Sequence, residues 1–241
     1  MTLSSDISLV NCVFASPADC SSDEKDVVFV VDASRKPYGR QSWSKLLQFV
    51  RDVADRLRVT NGSVRVAVVR YADTAELSIA LNDSSRTHRL IANLDYDGHD
   101  VSDLAGALDV TRSQVFNDLR LGARSVVVVV TEHLLASARL TAAVDRLRSS
   151  FDDVELIVVA VTGHGGVEVD TLSKIAGSET SRIDDFDKLS DKMDEVVQFI
   201  CDGRHELRTP QGKSRSTRST AYMLQLRLFS RLLCVRLSVQ V

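Results

Sequence analysis

Three short runs of branched apolar residues limit what this chain can fold into. They are Val27-Val28-Phe29-Val30-Val31, the five valines from Val126 to Val130, and Ile157-Val158-Val159-Ala160-Val161. A strand with one face in water alternates apolar and polar side chains. An unbroken β-branched run instead reads as a strand buried on both faces, at the centre of a parallel sheet. Between the runs the apolar period lengthens to that of a helix, as in Trp43, Leu46, Leu47, Val50, Val53, Ala54 and Leu57.

This spacing predicts helices over 42–57, 86–94, 102–116, 140–147, 169–175 and 186–200, with Ser102 as an N-cap and Gly177 as a terminator. Residues 64–71 read as another strand. Residues 76–81 alternate and follow the turn Ala72-Asp73-Thr74, so they read as an antiparallel edge strand. Residues 182–183 read as a short edge strand at the other side. Strands alternating with helices give an α/β fold: a doubly wound, mostly parallel, Rossmann-like sheet with helices on both faces.

In such sheets ligands sit beyond the carboxyl ends of the strands. There the first run stops at Asp32, with Ser34 two residues on, and the second strand ends at Glu132. Carboxylates and hydroxyls are hard oxygen donors, suited to a divalent cation or to a polar partner surface. Enzyme chemistry is not expected. Asp32-Ala33-Ser34-Arg35-Lys36 holds no glycine-rich phosphate loop, the chain has no G-x-S-x-G elbow, and His133 beside Glu132 is a weak acid–base pair because neighbours at a strand end point apart.

Charge divides the chain. Residues 203–241 carry eight basic residues against Glu206 alone, or +7, which leaves −10 on the rest of a chain whose net charge is −3. The expected organisation is a leader over 1–24, one domain over 25–202, and a basic, disordered tail over 203–241. The tail has little aromatic interleaving beyond Tyr222 and Phe229, so a nucleic-acid partner is not expected. No stretch is long and apolar enough to span a bilayer. Cys12, Cys20, Cys201 and Cys234 lie outside the predicted α/β body or at its edge, and four cysteines allow three pairings. Asn61-Gly62-Ser63 and Asn82-Asp83-Ser84 are N-glycosylation acceptor sequences in predicted loops. Together these features point toward the secretory route, although residues 7–15 lack the basic flank of a signal peptide.

From Asp26 to Cys201 the order of these segments resembles the von Willebrand factor type A domain. The run from Asp26 to Ser34 is similar to that family's first strand and metal loop, and Ser63 to Asp73 to its second strand. Residues 126–131, 154–161 and 182–186 follow in the expected order, and the spacing of Phe186, Leu189, Ile200 and Cys201 is similar to the matrilin and collagen VI branch. The resemblance implies a disulfide between Cys20 and Cys201, stabilising by up to about 5 kcal/mol. It also implies a metal-ion-dependent adhesion site built from Asp32, Ser34, Ser102 and Glu132. Two positions depart from the family pattern: Lys36 stands where a second serine is expected, and Glu132 where an aspartate is expected. Lys36 deletes a ligand and brings a competing cation, and Mg²⁺ demands close octahedral oxygens. No cofactor is therefore required, and binding of Mg²⁺, or of Mn²⁺ or Ca²⁺ in its place, is expected to be weak. The implied function is an extracellular module that binds a matrix or cell-surface protein, such as collagen. A scaffold module inside the cell is the alternative.

Overall fold

The computed structural model describes residues 24–34, 39–57, 62–83, 86–150, 154–163, 166–176 and 180–202. Lys36, Cys20, Asn61 and Gly177 lie outside these residues, as do the leader before Glu24 and the tail from 203. Six strands form one sheet in the order β3-β2-β1-β4-β5-β6. They are β1 (Lys25–Asp32), β2 (Val64–Tyr71), β3 (Ala75–Asn82), β4 (Arg124–Thr131), β5 (Val154–Val161) and β6 (Thr180–Ile183). Every neighbouring pair is parallel except β2 with β3. The three apolar runs thus occupy β1, β4 and β5, all inside the sheet.

Parity sorts the run in β1. Val27, Phe29 and Val31 face one layer with α1 (Gly39–Arg56) and α6 (Met193–Asp202), while Val28 and Val30 face the other with α3 (Leu104–Val110), α4 (Ala138–Ser150) and α5 (Val169–Ala176). All five are buried, which is why no polar residue interrupts the run. The remaining helix, α2 (Thr87–Ala92), packs against α1.

Two predicted helices differ in detail. The 102–116 helix begins at Leu104, and Asp103 rather than Ser102 is its N-cap, its carboxylate accepting from Gly106 N–H at 3.1 Å. The helix continues as a π turn, Thr111–Val115, and a 3₁₀ turn, Phe116–Asp118. The last predicted helix is a 3₁₀ segment, Phe186–Lys192, leading into α6. Helical periodicity does not separate these windings, since all of them return an apolar side chain to the core every third or fourth residue.

Charged groups hold the amino end of the sheet. Asp26 is fully buried and accepts from Arg65 Nε (2.9 Å) and Nη2 (2.7 Å), and from Arg120 N–H (2.8 Å) and Nε (3.0 Å). Arg120 also donates to the carbonyls of Lys25, Gly62 and Ser63. Arg124 pairs with Glu155 and donates to the carbonyls of Ile200 (2.7 Å) and Phe199 (3.0 Å), fixing the end of α6 to β4. Arg124→Ala strips partners from Glu155 and from two helix-end carbonyls. We expect it to lower unfolding free energy by about 2–3 kcal/mol, read by urea denaturation, and to expose the end of α6 to limited proteolysis.

Candidate functional site

The carboxyl ends of β1, β2 and β4 meet at one point. Asp32 ends β1 and pairs in register with Tyr71, which ends β2. The backbone then stitches the loops together: Ala33 N–H donates to Tyr71 O (2.7 Å), Gly98 N–H to Ala33 O (3.0 Å), and Asp103 N–H to Ala72 O (2.7 Å). The acidic loop 95–100 is thereby drawn against the end of β1.

Asp32 is the hub. Its Oδ1 accepts from Ser34 N–H (3.0 Å), and its Oδ2 accepts from Ser102 Oγ (2.8 Å) and lies 3.3 Å from Thr131 Oγ1. Ser102 therefore spends its hydroxyl on Asp32 instead of capping α3. Thr131 Oγ1 accepts in turn from His133 N–H (3.0 Å), which shapes the turn that presents Glu132. Gly166 packs under that turn: a Cβ there would come within 2.3 Å of Glu132 O and 2.7 Å of His133 Nδ1, so only glycine lets the two loops approach. Tyr71 is fully buried, and its hydroxyl is held protonated, first by burial and then by the charge of Asp32.

Asp32, Ser34 and Glu132 line a single cavity of about 10 Å³, closed on its other sides by residues that include Trp43, Tyr96 and Phe186. That is room for one water-sized group. Two oxygens at this cavity have no hydrogen-bond partner, Ser34 Oγ and Glu132 Oε2, although Glu132 is only 4% exposed. Burial, and after it the neighbouring charge of Asp32, pushes the Glu132 carboxyl up to about 8. Ionising Glu132 in this buried position beside Asp32 is costly unless a positive charge joins them.

The structure thus brings Asp32, Ser34 and Glu132 to one small volume, with Ser102 joined to it through Asp32 rather than through the cavity wall. The orphaned oxygens and the hard donors fit a small divalent cation in kind. Among the described residues no three His, Cys, Asp or Glu side chains gather as metal ligands, so a cation here would depend on hydroxyls as well as carboxylates. Sequence reasoning did not place Thr131 and Tyr71 in the site. The usable signal was register, because strands that end together in a parallel sheet put their last side chains side by side.

Of the other predicted positions, Cys201 is disulfide-bonded, and Asn82 is half-buried at the end of β3. No helix among the described residues is long and apolar enough to cross a membrane.

A sheet with its most buried strand in the middle, and an acid–hydroxyl cup at the carboxyl end of that strand, defines a doubly wound α/β domain. The chain belongs to the von Willebrand factor type A domain family, whose model matches residues 26–196. It is similar to von Willebrand factor of Rattus norvegicus, at 24% identity over 77% of this chain and 44% of that protein. It is similar also to the collagen alpha-4(VI) chain of Mus musculus, at 29% identity over 67% of this chain and 7% of that one. The chain spans less than half the length of either relative. Among solved structures it shares its fold with proximal thread matrix protein 1 from the mussel byssus, described with a zinc-occupied metal-ion-dependent adhesion site. That match has a TM-score of 0.67 and 24% identity, and covers 76% of this chain and 47% of that one.

Proposed function

We propose that this chain is a non-enzymatic adhesion module of the extracellular matrix kind. It binds a macromolecular partner at the carboxyl end of its sheet, with weak or no dependence on Mg²⁺. The observation that carries this reading is the pair of unpartnered oxygens, on Ser34 and Glu132, facing one cavity at the end where α/β sheets take ligands. Three large apolar side chains stand exposed at the same end, Val101 (57%) and Leu135 (58%) on loops and Val169 (49%) at the start of α5. Exposed apolar groups around a polar centre are the makings of a protein interface.

A divalent cation at the site would be held by Asp32, Ser34, Ser102 and Glu132, and would neutralise the two carboxylates. Weak affinity follows from the chain's own chemistry. Lys36 replaces a hydroxyl ligand, and Ser102 and Thr131 already occupy one oxygen of Asp32. Secretion is supported by the disulfide of Cys201, for which Cys20 is the proposed partner, and by the acceptor asparagines Asn61 and Asn82. The relative named as a collagen chain supports a matrix setting, and the unit proposed to carry the activity is 25–202.

Two measurements test the reading. Immobilised matrix proteins, fibrillar collagen among them, are titrated with the chain in EDTA and in Mg²⁺. The double variant Leu135→Ser/Val169→Ser is expected to weaken any binding by about tenfold or more, and EDTA to leave it nearly unchanged. Millimolar Mg²⁺ is expected to raise the melting temperature by less than about 2 °C. Binding that ignores both substitutions would overturn the proposed location, and a Mg²⁺ shift of many degrees would overturn the weak-metal reading.

A further inference from the structure

The acceptors around the cavity have a geometry of their own. An ammonium group carries three N–H donors and no acceptor, and it is the size of a water molecule. The cavity, at about 10 Å³, offers it Glu132 Oε2 and Ser34 Oγ, both unpartnered, together with Asp32. A planar guanidinium is too large for the same space. Near the cavity Asp95 and Asp100 are exposed, while Arg70 is already paired with Glu76 and Asp97, Arg139 with Asp103, and Arg40 lies over the Tyr96 ring at 5.7 Å. Apolar contact is available close by. Val101 precedes Ser102, Leu135 lies three residues past Glu132, and Val169 follows Glu168, whose carboxylate holds Ala136 N–H at 2.9 Å.

Resting on the binding reading above, we propose that the partner of this face is a basic, apolar protein segment. A lysine of that segment seats its ammonium between Asp32 and Glu132, and flanking apolar residues cover Val101, Leu135 and Val169. The face then recognises a cationic side chain directly, where a metal-bridged site would take a carboxylate. The diffuse negative charge speeds encounter and the cavity confers selectivity, since one ammonium fits and a carboxylate is repelled.

The test uses the full chain, isotopically labelled, and three capped peptides of the same length. Each carries leucines around a central lysine, arginine or glutamate, and each is titrated to millimolar concentration in EDTA with amide chemical shifts as the readout. The lysine peptide is expected to move the amides of residues 32–34 and 131–135 and to weaken about tenfold between low and moderate salt. The arginine and glutamate peptides are expected to bind at least about fivefold more weakly. Glu132→Gln and Leu135→Ser are each expected to cost the lysine peptide about tenfold, while Asp145→Asn, an exposed acid on α4, costs nothing.

Equal binding of the lysine and glutamate peptides, insensitivity to Glu132→Gln, or no shift at millimolar peptide would overturn the proposal. So would lysine-peptide binding that appears only in Lys36→Ser, because the chain's own lysine would then take that place. A glutamate peptide that binds only with Mg²⁺ sinks this inference and leaves the adhesion reading standing. Matrix binding indifferent to Leu135→Ser/Val169→Ser sinks the adhesion reading itself.

Discussion

Glu132→Gln is expected to raise the melting temperature by about 8–16 °C at pH 8.5 in EDTA and to change it little near pH 4.5. The cause is a buried carboxyl whose pKa rises from 4.5 to about 8, through burial first and the Asp32 charge second. A carboxyl with a raised folded pKa binds its proton more tightly in the native state than in the unfolded chain. Its contribution is therefore fully present below the unfolded value and is lost as pH climbs through the folded one. The window runs from 4.5 to about 8, and across it the wild type loses on the order of 4 kcal/mol relative to glutamine, which never ionises. Glutamine is nearly isosteric, so packing around the cavity is kept. Melting curves for both proteins over this range decide the matter; parallel curves at all pH values would show that Glu132 is not strained by ionisation.

Asp26→Ala is expected to be the most damaging single change at the amino end of the sheet, lowering stability by about 3–5 kcal/mol. The replaced carboxylate is fully buried and is hydrogen-bonded by Arg65, by Arg120 and by the Arg120 backbone. Its removal leaves Arg65 and Arg120 side by side at the end of β1, with only the exposed Glu24, 3.3 Å from Arg120, as a remaining carboxylate partner. Burial by itself raises the Asp26 carboxyl, but the hydrogen bonds and charges of Arg65 and Arg120 outweigh it and hold the pKa below 3.8. A depressed carboxyl contributes stability that is present above the unfolded value and lost as pH falls through the folded one. Acid unfolding of the wild type should therefore steepen below about pH 4, and Asp26→Ala should flatten that limb as well as lower the plateau. Urea titrations at several acidic pH values separate the two effects. Unchanged stability at neutral pH would mean that water satisfies both arginines.

Much of the site was legible in single residues. Asp32 and Ser34 close an apolar run at its carboxyl end, which is the end where α/β sheets take ligands. Glu132 closes the next run and is its neighbour, because β1 and β4 pair side by side. The role of Ser102 was only half legible. Its hydroxyl suits both a helix cap and a site ligand, and local sequence favours the cap. The structure gives the cap to Asp103 because Ser102 reaches Asp32, 70 residues away in the chain, at 2.8 Å. Tyr71 and Thr131 looked like ordinary strand ends until register set them beside Asp32.

The sequence by itself determined the architecture: valine runs without polar interruption must be buried on both faces, and helical spacing between them forces a wrapped parallel sheet. Only the tertiary structure decided the electrostatics. The raised pKa of Glu132, the anchoring of Asp26 by two arginines, and the cavity that admits a single small group all arise from residues far apart in the chain. Local pattern reports which side chains leave water. It does not report which charges they meet once they have left.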